Sequence, residues 1–430
     1  ADDLGYGDLS CQGQEKFETP NIDRLADEGI LFTQHYAGST VCAPSRCCLM
    51  TGYHTGHAAV RGNKPMEPIG QFPIPREVIT IAEILKEKGY QTGAMGKWGL
   101  GPPGSEGDPL NQGFDFFYGY NCQRNAHFFY PEYLWKNEEK IMLLENMDRK
   151  EKKYSHNLIA NQVLKFIKEN KDKPFFLYVP FTIPHAELKV PDSSLEKFRG
   201  KFEETSFEGG HYGAQEFPRA AYAAMVTLMD KDVGRILDLL DELDLAEKTM
   251  ISFSSDNGPH EEGGNDPAFF NSNGTFRGIK RDFYEGGIRV PFIVRWPGKI
   301  EPGSLSDHIS AQWDFLPTIC EIIEVSPPKG IDGISYLPVL LGKKGKKHNY
   351  LYWEFSNPRD AKQAIRKGKW KAIRLNLKEN PDSPIKLYNL DKDPGEKNNV
   401  AEENPEIVSE MKELFRNARS MDSNWPLFSE

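Results

Sequence analysis

Apolar residues along this chain follow two rhythms that alternate. Residues 19–29 set Ile22, Leu25 and Ala26 three and four apart behind Thr19-Pro20 and stop at Gly29, which predicts a short amphipathic helix with a capped start and a glycine end. Residues 78–88, closed by Gly89, predict a second helix, and 91–95 a short strand after it. The helical spacing returns over 154–170. It gives way to Pro174-Phe175-Phe176-Leu177-Tyr178-Val179, an unbroken apolar run of the kind found in strands buried on both faces. Downstream the unit recurs as a long amphipathic helix over 220–243, strands over 249–254 and 287–295, and a helix over 313–323. Alternation of this sort predicts an α/β fold with a large, mostly parallel sheet sandwiched by helices.

After Leu341 the pattern changes. Gly342-Lys343-Lys344-Gly345-Lys346-Lys347 reads as a solvated connector, followed by four short strand-like runs, 350–355, 363–367, 369–375 and 385–388, and a closing helix over 405–419. These predict a smaller C-terminal domain, an antiparallel sheet with one helix on it, and divide the 430 residues into 1–342 and 343–430.

Charge and composition exclude several classes. With 53 Lys+Arg against 63 Asp+Glu the formal charge is −10, which argues against a nucleic-acid partner. No run approaches the roughly 18 apolar residues of a membrane span. The chain opens at Ala1-Asp2-Asp3 without Met or an apolar leader, so a trimmed product is expected, with any signal peptide not present in this chain. Six cysteines, Cys11, Cys42, Cys47, Cys48, Cys122 and Cys320, are too few and too irregular for a disulfide framework or a zinc ribbon.

In doubly wound sheets the chemistry collects at the carboxyl ends of strands. Asp2-Asp3 stands before the glycine-rich Leu4-Gly5-Tyr6-Gly7, and Asp256-Asn257-Gly258 follows the strand ending at Ser254. Each alone is a turn former; together they are an all-oxygen donor set suited to Ca²⁺ or Mg²⁺. In Cys42-Ala43-Pro44-Ser45-Arg46 a cysteine enters a helix N-terminus, where it is either a low-pKa thiolate or a buried inert thiol. Residues 118–130 mix aromatic faces with the donors Gln123, Arg124 and His127, equipment for a sugar ring and equally for core packing. Tyr352-Trp353-Glu354 reads as a pocket wall or, more simply, as strand packing, and His211 as a surface histidine.

Cys42-Ala43-Pro44-Ser45-Arg46 with Leu49-Met50-Thr51-Gly52 resembles the signature of type I sulfatases, members of the alkaline phosphatase superfamily whose motif cysteine is oxidised to formylglycine by a maturation enzyme. Five more segments resemble that family's motifs in the same order: Asp2-Asp3-Leu4-Gly5-Tyr6-Gly7-Asp8, Gly96-Lys97-Trp98, Pro184-His185, Ser255-Asp256-Asn257-Gly258, and Gly278-Ile279-Lys280 leading to Glu285-Gly286-Gly287-Ile288-Arg289-Val290-Pro291. They span residues 1 to about 300, and the C-terminal sheet and helix fit the family's smaller domain.

The resemblance implies a sulfate ester hydrolase acting on a sulfated sugar, of the galactose, N-acetylgalactosamine or glycosaminoglycan type. It implies Ca²⁺ rather than Mg²⁺, held by Asp2, Asp3, Cys42 (as formylglycine), Asp256 and Asn257. The hydrated aldehyde made from Cys42 would attack sulfur, and its second hydroxyl would then expel sulfate by elimination. Asp256 would take the nucleophile's proton, Arg46, Lys97 and Lys280 would balance charge on the sulfate oxygens, and His185 would protonate the departing alcohol. Gln123, Arg124 and His127 would lie near the sugar. Family habit implies a periplasmic, secreted or lysosomal location. This chain departs from the family at Gly99, where many relatives carry histidine, and His57 or His54 is the expected substitute, with local packing the competing reading. Rival functions are a phosphonate or phosphate ester hydrolase of the same superfamily and a non-catalytic sulfated-glycan binder with Cys42 unconverted.

Overall fold

Helices form where a cap and an apolar stripe coincide. The computed structural model describes residues 1–358 and 360–428. The helix expected from residue 78 begins instead at Ile81 and runs to Glu87, because Thr80 accepts from the Glu83 N–H while the Glu83 carboxylate accepts from the Thr80 N–H. The long helices Ser155–Glu169 and Pro218–Glu242 lie within two residues of their predicted bounds, the second with proline in its first turn. The helix expected over 313–323 is split into a 3-10 turn, Gln312–Asp314, and an α-helix, Phe315–Ile322.

Two mixed sheets form the larger part. In the five-stranded one, Gln91–Lys97 pairs in parallel with Phe116–Tyr120 and with Phe175–Tyr178, and the hairpin Tyr133–Lys136 and Glu139–Met142 extends the edge antiparallel. In the four-stranded one, Ile30–Phe32 lies between Ser304–Ser306, parallel, and Phe292–Arg295, antiparallel, and Ile251–Ser254 forms the edge. The strand predicted over 287–295 is confined to Phe292–Arg295. Ahead of it Glu285–Ile288 is a helical turn, since a Cβ on Gly286 would stand 2.2 Å from the Gly278 carbonyl oxygen and one on Gly287 2.2 Å from that of Asp282. That backbone crossing leaves no room for an extended run.

Phe175–Tyr178 and Ile251–Ser254 are edge strands of their sheets and both line an apolar slot of about 820 Å³. All four side chains of Phe175–Tyr178 are therefore half-buried, whereas the apolar run predicts full burial.

The C-terminal sheet is an antiparallel meander in chain order, Leu351–Ser356, Ala361–Lys367, Trp370–Arg374 and Lys386–Asn389. The helix Pro405–Asn417 buries Met411 and Phe415 against Tyr352, Ile365, Ala372 and Leu387, each side chain contributing roughly 1.5–3 kcal/mol. Among the described residues no helix is long and apolar enough to cross a membrane.

Candidate active site

Six chain segments meet at strand ends and in the loops beyond them. Asp2 and Asp3 sit against Ile183 and Asp256: the Asp2 N–H donates to the Ile183 carbonyl at 3.3 Å, and the Asp3 N–H to Asp256 Oδ1 at 3.1 Å, with Asp3 held at φ 64°. Lys97 is the last residue of its strand, delivered by Gly96, whose Cβ would lie 2.1 Å from the Pro180 carbonyl oxygen, so only glycine permits this approach. The helix Cys42–Thr51 aims its first residue at the same point. Ser45 pins that end by donating from Oγ to the Asp256 carbonyl, and a Cβ on Gly38 would meet Cys48 Cβ at 2.5 Å.

The charges interlock. Lys97 Nζ lies 2.6 Å from Asp2 Oδ2, Arg46 Nη2 2.8 Å from Asp256 Oδ2 and 3.5 Å from Asp2 Oδ2, and Lys280 Nζ 2.7 Å from Asp3 Oδ2 and 2.9 Å from His185 Nε2. Cys42 Sγ stands 3.4 Å from Asp2 Oδ1. All of these side chains are buried. Burial first, and the Asp2 carboxylate second, push the Cys42 thiol far up, so the low-pKa thiolate reading fails and the group stays a thiol. Burial, reinforced by Lys280, holds His185 well below the usual histidine range, and its Nδ1 bonds to the Ala186 carbonyl. A neutral His185 with Nδ1 protonated thus accepts from the Lys280 ammonium at Nε2. For Lys280 burial works against the charge, but the neighbouring carboxylates, Asp3 first and then Glu262 and Asp2, together keep the ammonium.

Asp2, Asp3, Cys42 and His185 bring one ligand atom each to within 4.8 Å of one another. Asn257 donates Nδ2 to Asp3 Oδ1 at 2.7 Å and leaves its own Oδ1 buried without a partner. An orphaned amide oxygen beside two buried carboxylates is a donor set that fits a hard, oxygen-seeking cation.

Around this cage lie the residues expected near the sugar, and others that were not. Gln123 is 4% exposed, with Oε1 buried and unpartnered; a Cβ on Gly99 would stand 3.2 Å from that oxygen. The His127 ring lies on the His185 ring, centroids 4.1 Å apart. Arg124 is exposed. Two residues were not anticipated. Glu262 Oε2 accepts from Lys280 at 3.4 Å and from the Tyr212 hydroxyl at 3.3 Å. Against the upward pull of burial, Lys280 and Arg281 keep the Glu262 carboxylate ionised. His260 donates Nε2 to the Pro184 carbonyl and accepts from the Glu262 N–H, both at 3.0 Å, beneath the His185 ring. Asp256-Asn257-Gly258 lies only a few residues from His260 and Glu262, and that proximity was the available signal.

Two readings left open by the sequence fall on the side of local packing. His57 and His54 lie beyond the far end of the helix that begins at Cys42, about 15 Å away along ten residues, and both bond to Asp332. Neither takes the place left by Gly99; they pack locally. Tyr352-Trp353-Glu354 is a buried strand segment, with Trp353 Nε1 donating to the Ala37 carbonyl and Glu354 paired to Arg61 and Arg419, so the packing reading holds.

A buried cage of carboxylates and fixed cations at strand ends, with a helix N-terminus aimed into it, is the site of an α/β hydrolase of anionic esters. The family model described as "Sulfatase" matches residues 1–325, and that of "N-sulphoglucosamine sulphohydrolase, C-terminal" matches 274–421. The chain is 30% identical to an N-acetylgalactosamine-6-O-sulfatase of Bacteroides thetaiotaomicron over 98% of its own length and 92% of that protein, and 31% identical to human arylsulfatase A over 96% and 85%. The crystal structure of Ps i-CgsB in complex with k-i-k-neocarrahexaose superposes with a TM-score of 0.82 at 26% identity, over 97% of this chain and 91% of that one. The chain belongs to the sulfatase family of the alkaline phosphatase superfamily, whose members are sulfuric ester hydrolases.

Proposed function

We propose that this protein hydrolyses a sulfate ester on a galactose- or N-acetylgalactosamine-type sugar, using formylglycine made from Cys42 and a Ca²⁺ ion held by Asp2, Asp3, Asp256 and Asn257. The observation that carries this is the single buried cluster in which Cys42, these four oxygen donors and the cations Arg46, Lys97 and Lys280 meet. Three carboxylates face three cations there, so a dication leaves the pocket positive, as an anionic ester requires. The sugar class rests on the N-acetylgalactosamine-6-O-sulfatase relative and the carrahexaose-bound neighbour.

When bound, Ca²⁺ supplies Lewis-acid charge and the formylglycine hydrate supplies the nucleophilic hydroxyl. The chain's own residues do the rest. Asp256, 2.8 Å from Arg46, takes the hydroxyl proton; Arg46 and Lys97 orient the sulfate oxygens; the proton shared between Lys280 Nζ and His185 Nε2, 2.9 Å apart, goes to the departing alcohol. Gln123, His127 and the exposed Arg124 contact the sugar, and Gln123 fills the space opposite Gly99. Residues 1–342 form the catalytic unit and 343–430 the smaller domain. A maturation enzyme converts Cys42, and the protein works in a periplasm, a lysosome or the exterior.

The test is sulfate release from mono-sulfated galactose and N-acetylgalactosamine, alongside intact-mass analysis of the Cys42 peptide from the native host. Replacement of the thiol by a carbonyl together with released sulfate supports the reading. A thiol throughout, or aryl phosphodiesters turned over faster than aryl sulfates, overturns it.

A further inference from the structure

Lys280 sits on a segment, 277–287, with little regular structure of its own. Gly278 (φ 87°) and Arg281 (φ 75°) hold left-handed backbone on either side of it, and the arginine's conformation costs on the order of 1–3 kcal/mol unless its surroundings enforce it. On the inner side the Lys280 N–H donates to the Pro259 carbonyl at 2.8 Å and the Arg281 N–H to that of Thr40 at 3.0 Å. The outer side is gripped by the C-terminal sheet and the loop after it. Lys371 Nζ lies 2.8 Å from Glu285 Oε1 and 3.7 Å from Glu396 Oε1, all three side chains fully buried. Glu396 Oε2 accepts from the Glu285 N–H at 2.6 Å, and its carbonyl accepts from Arg277 at 3.0 Å. Lys362 Nζ donates to the Arg281 carbonyl at 3.3 Å, and the Tyr388 ring meets that of Tyr284 edge-on at 6.0 Å.

Both ends and the middle of the segment are therefore fastened to residues 362–396, while Lys280 points the other way, onto Asp3 and His185. We propose that the C-terminal sheet is a positioning element of the active site: Lys371, Glu396 and Lys362 hold residues 277–287 so that Lys280 stays in register with the sulfate pocket. This rests on the sulfatase reading, in which Lys280 faces the ester. Buried Lys371 is the main fastener, because its loss leaves Glu285 and Glu396 facing each other with one fewer counter-charge. The partly exposed Lys362 is the lesser one.

The experiment combines hydrogen exchange on the full chain with kinetics on 4-nitrophenyl sulfate, for Lys371→Met, Lys371→Arg and Lys362→Met. In Lys371→Met, amides of 277–287 are expected to exchange about tenfold faster while those of 91–97 are unchanged, and kcat to fall about tenfold with KM within about twofold. Lys371→Arg restores most of both, and Lys362→Met shows the same pattern at about threefold, folding without difficulty because it removes one rim contact. Unchanged exchange over 277–287 in Lys362→Met, and in Lys371→Met where that variant folds, overturns the proposal. A wild-type enzyme that releases no sulfate overturns the sulfatase reading instead, and the exchange data still decide whether the sheet holds the segment.

Discussion

The ring of His127 lies 18° from parallel on that of His185, and both of its nitrogens are buried without a partner. Burial, followed by Lys97 and Lys280, holds it well below the usual histidine range, so it is a neutral imidazole with one donor and one acceptor to offer. An unpaired buried ring beside the reacting groups is a ligand contact in waiting. His127→Phe keeps the stack and removes both nitrogens; the expected result is a KM for the sulfated sugar raised about tenfold, the worth of one hydrogen bond, with kcat nearly unchanged. An unchanged KM would make the ring a mere support under His185.

Metal removal separates the cage from its occupant. With Asp2, Asp3 and Asn257 Oδ1 buried and converging, the proposed Ca²⁺ should bind the folded state alone and stabilise it by mass action. Dialysis against a chelator should lower Tm, and millimolar Ca²⁺ should restore it more fully than Mg²⁺, which tolerates less irregular geometry. Asn257→Leu should melt at one temperature with or without Ca²⁺. A wild-type Tm indifferent to the ion would remove the metal assignment.

How much of this was visible in the sequence differs by element. The long helices, the antiparallel C-terminal meander and the cluster around Cys42 follow from local signals: caps, alternation and ordered motifs. The hairpin Tyr133–Lys136 and Glu139–Met142 was missed because Glu139, Lys140 and Met142 are exposed and give no buried alternation. The strand Phe116–Tyr120 was hidden in an aromatic stretch that reads equally as a binding loop. At the site, His260 and Glu262 escaped because their roles are set by Pro184 and Tyr212, dozens of residues distant. His57 was misplaced for the converse reason: nearness in sequence to Cys42 means little when a ten-residue helix lies between.

Two buried carboxyls, Glu396 and Asp8, contribute stability that is lost as pH rises to neutrality. Burial, with the charge of Glu285 adding to it and Lys371 opposing, pushes Glu396 up to about 7 from an ordinary 4.5. A carboxyl whose folded pKa exceeds its unfolded one contributes stability that is present in full below about 4.5 and is lost as pH climbs past about 7. Burial moves Asp8, bonded to the Tyr222 hydroxyl, in the same direction to about 7. Buried neutral histidines such as His127 and His185 act in the opposite sense below the ordinary histidine range, so the contribution of Glu396 is read as a difference between two proteins. Glu396→Gln keeps an acceptor for the Glu285 N–H, and the change in its Tm from pH 5.5 to pH 8 should be more favourable than that of wild type by a few degrees. An identical pH dependence of Tm in the two proteins would contradict the assignment.

Gly99 and Gln123 act as a pair. The glycine holds φ 74°, and the space its missing side chain leaves is taken by the Gln123 amide, whose Oε1 would lie 3.2 Å from a Cβ at position 99. Restoring the histidine that many relatives carry there should therefore harm this enzyme. Gly99→His sets a side chain on left-handed backbone, at about 1–3 kcal/mol, and drives Gln123 from its place. The expected outcome is a kcat/KM for sulfate release at least about tenfold lower. Gln123→Gly in the same chain clears the collision and should recover part of the loss. His57, by contrast, bonds to Asp332 and stacks on His54 at the helix's other end, and His57→Ala should turn over at the wild-type rate. If Gly99→His alone matched wild type while His57→Ala did not, the pairing of Gly99 with Gln123 would be wrong.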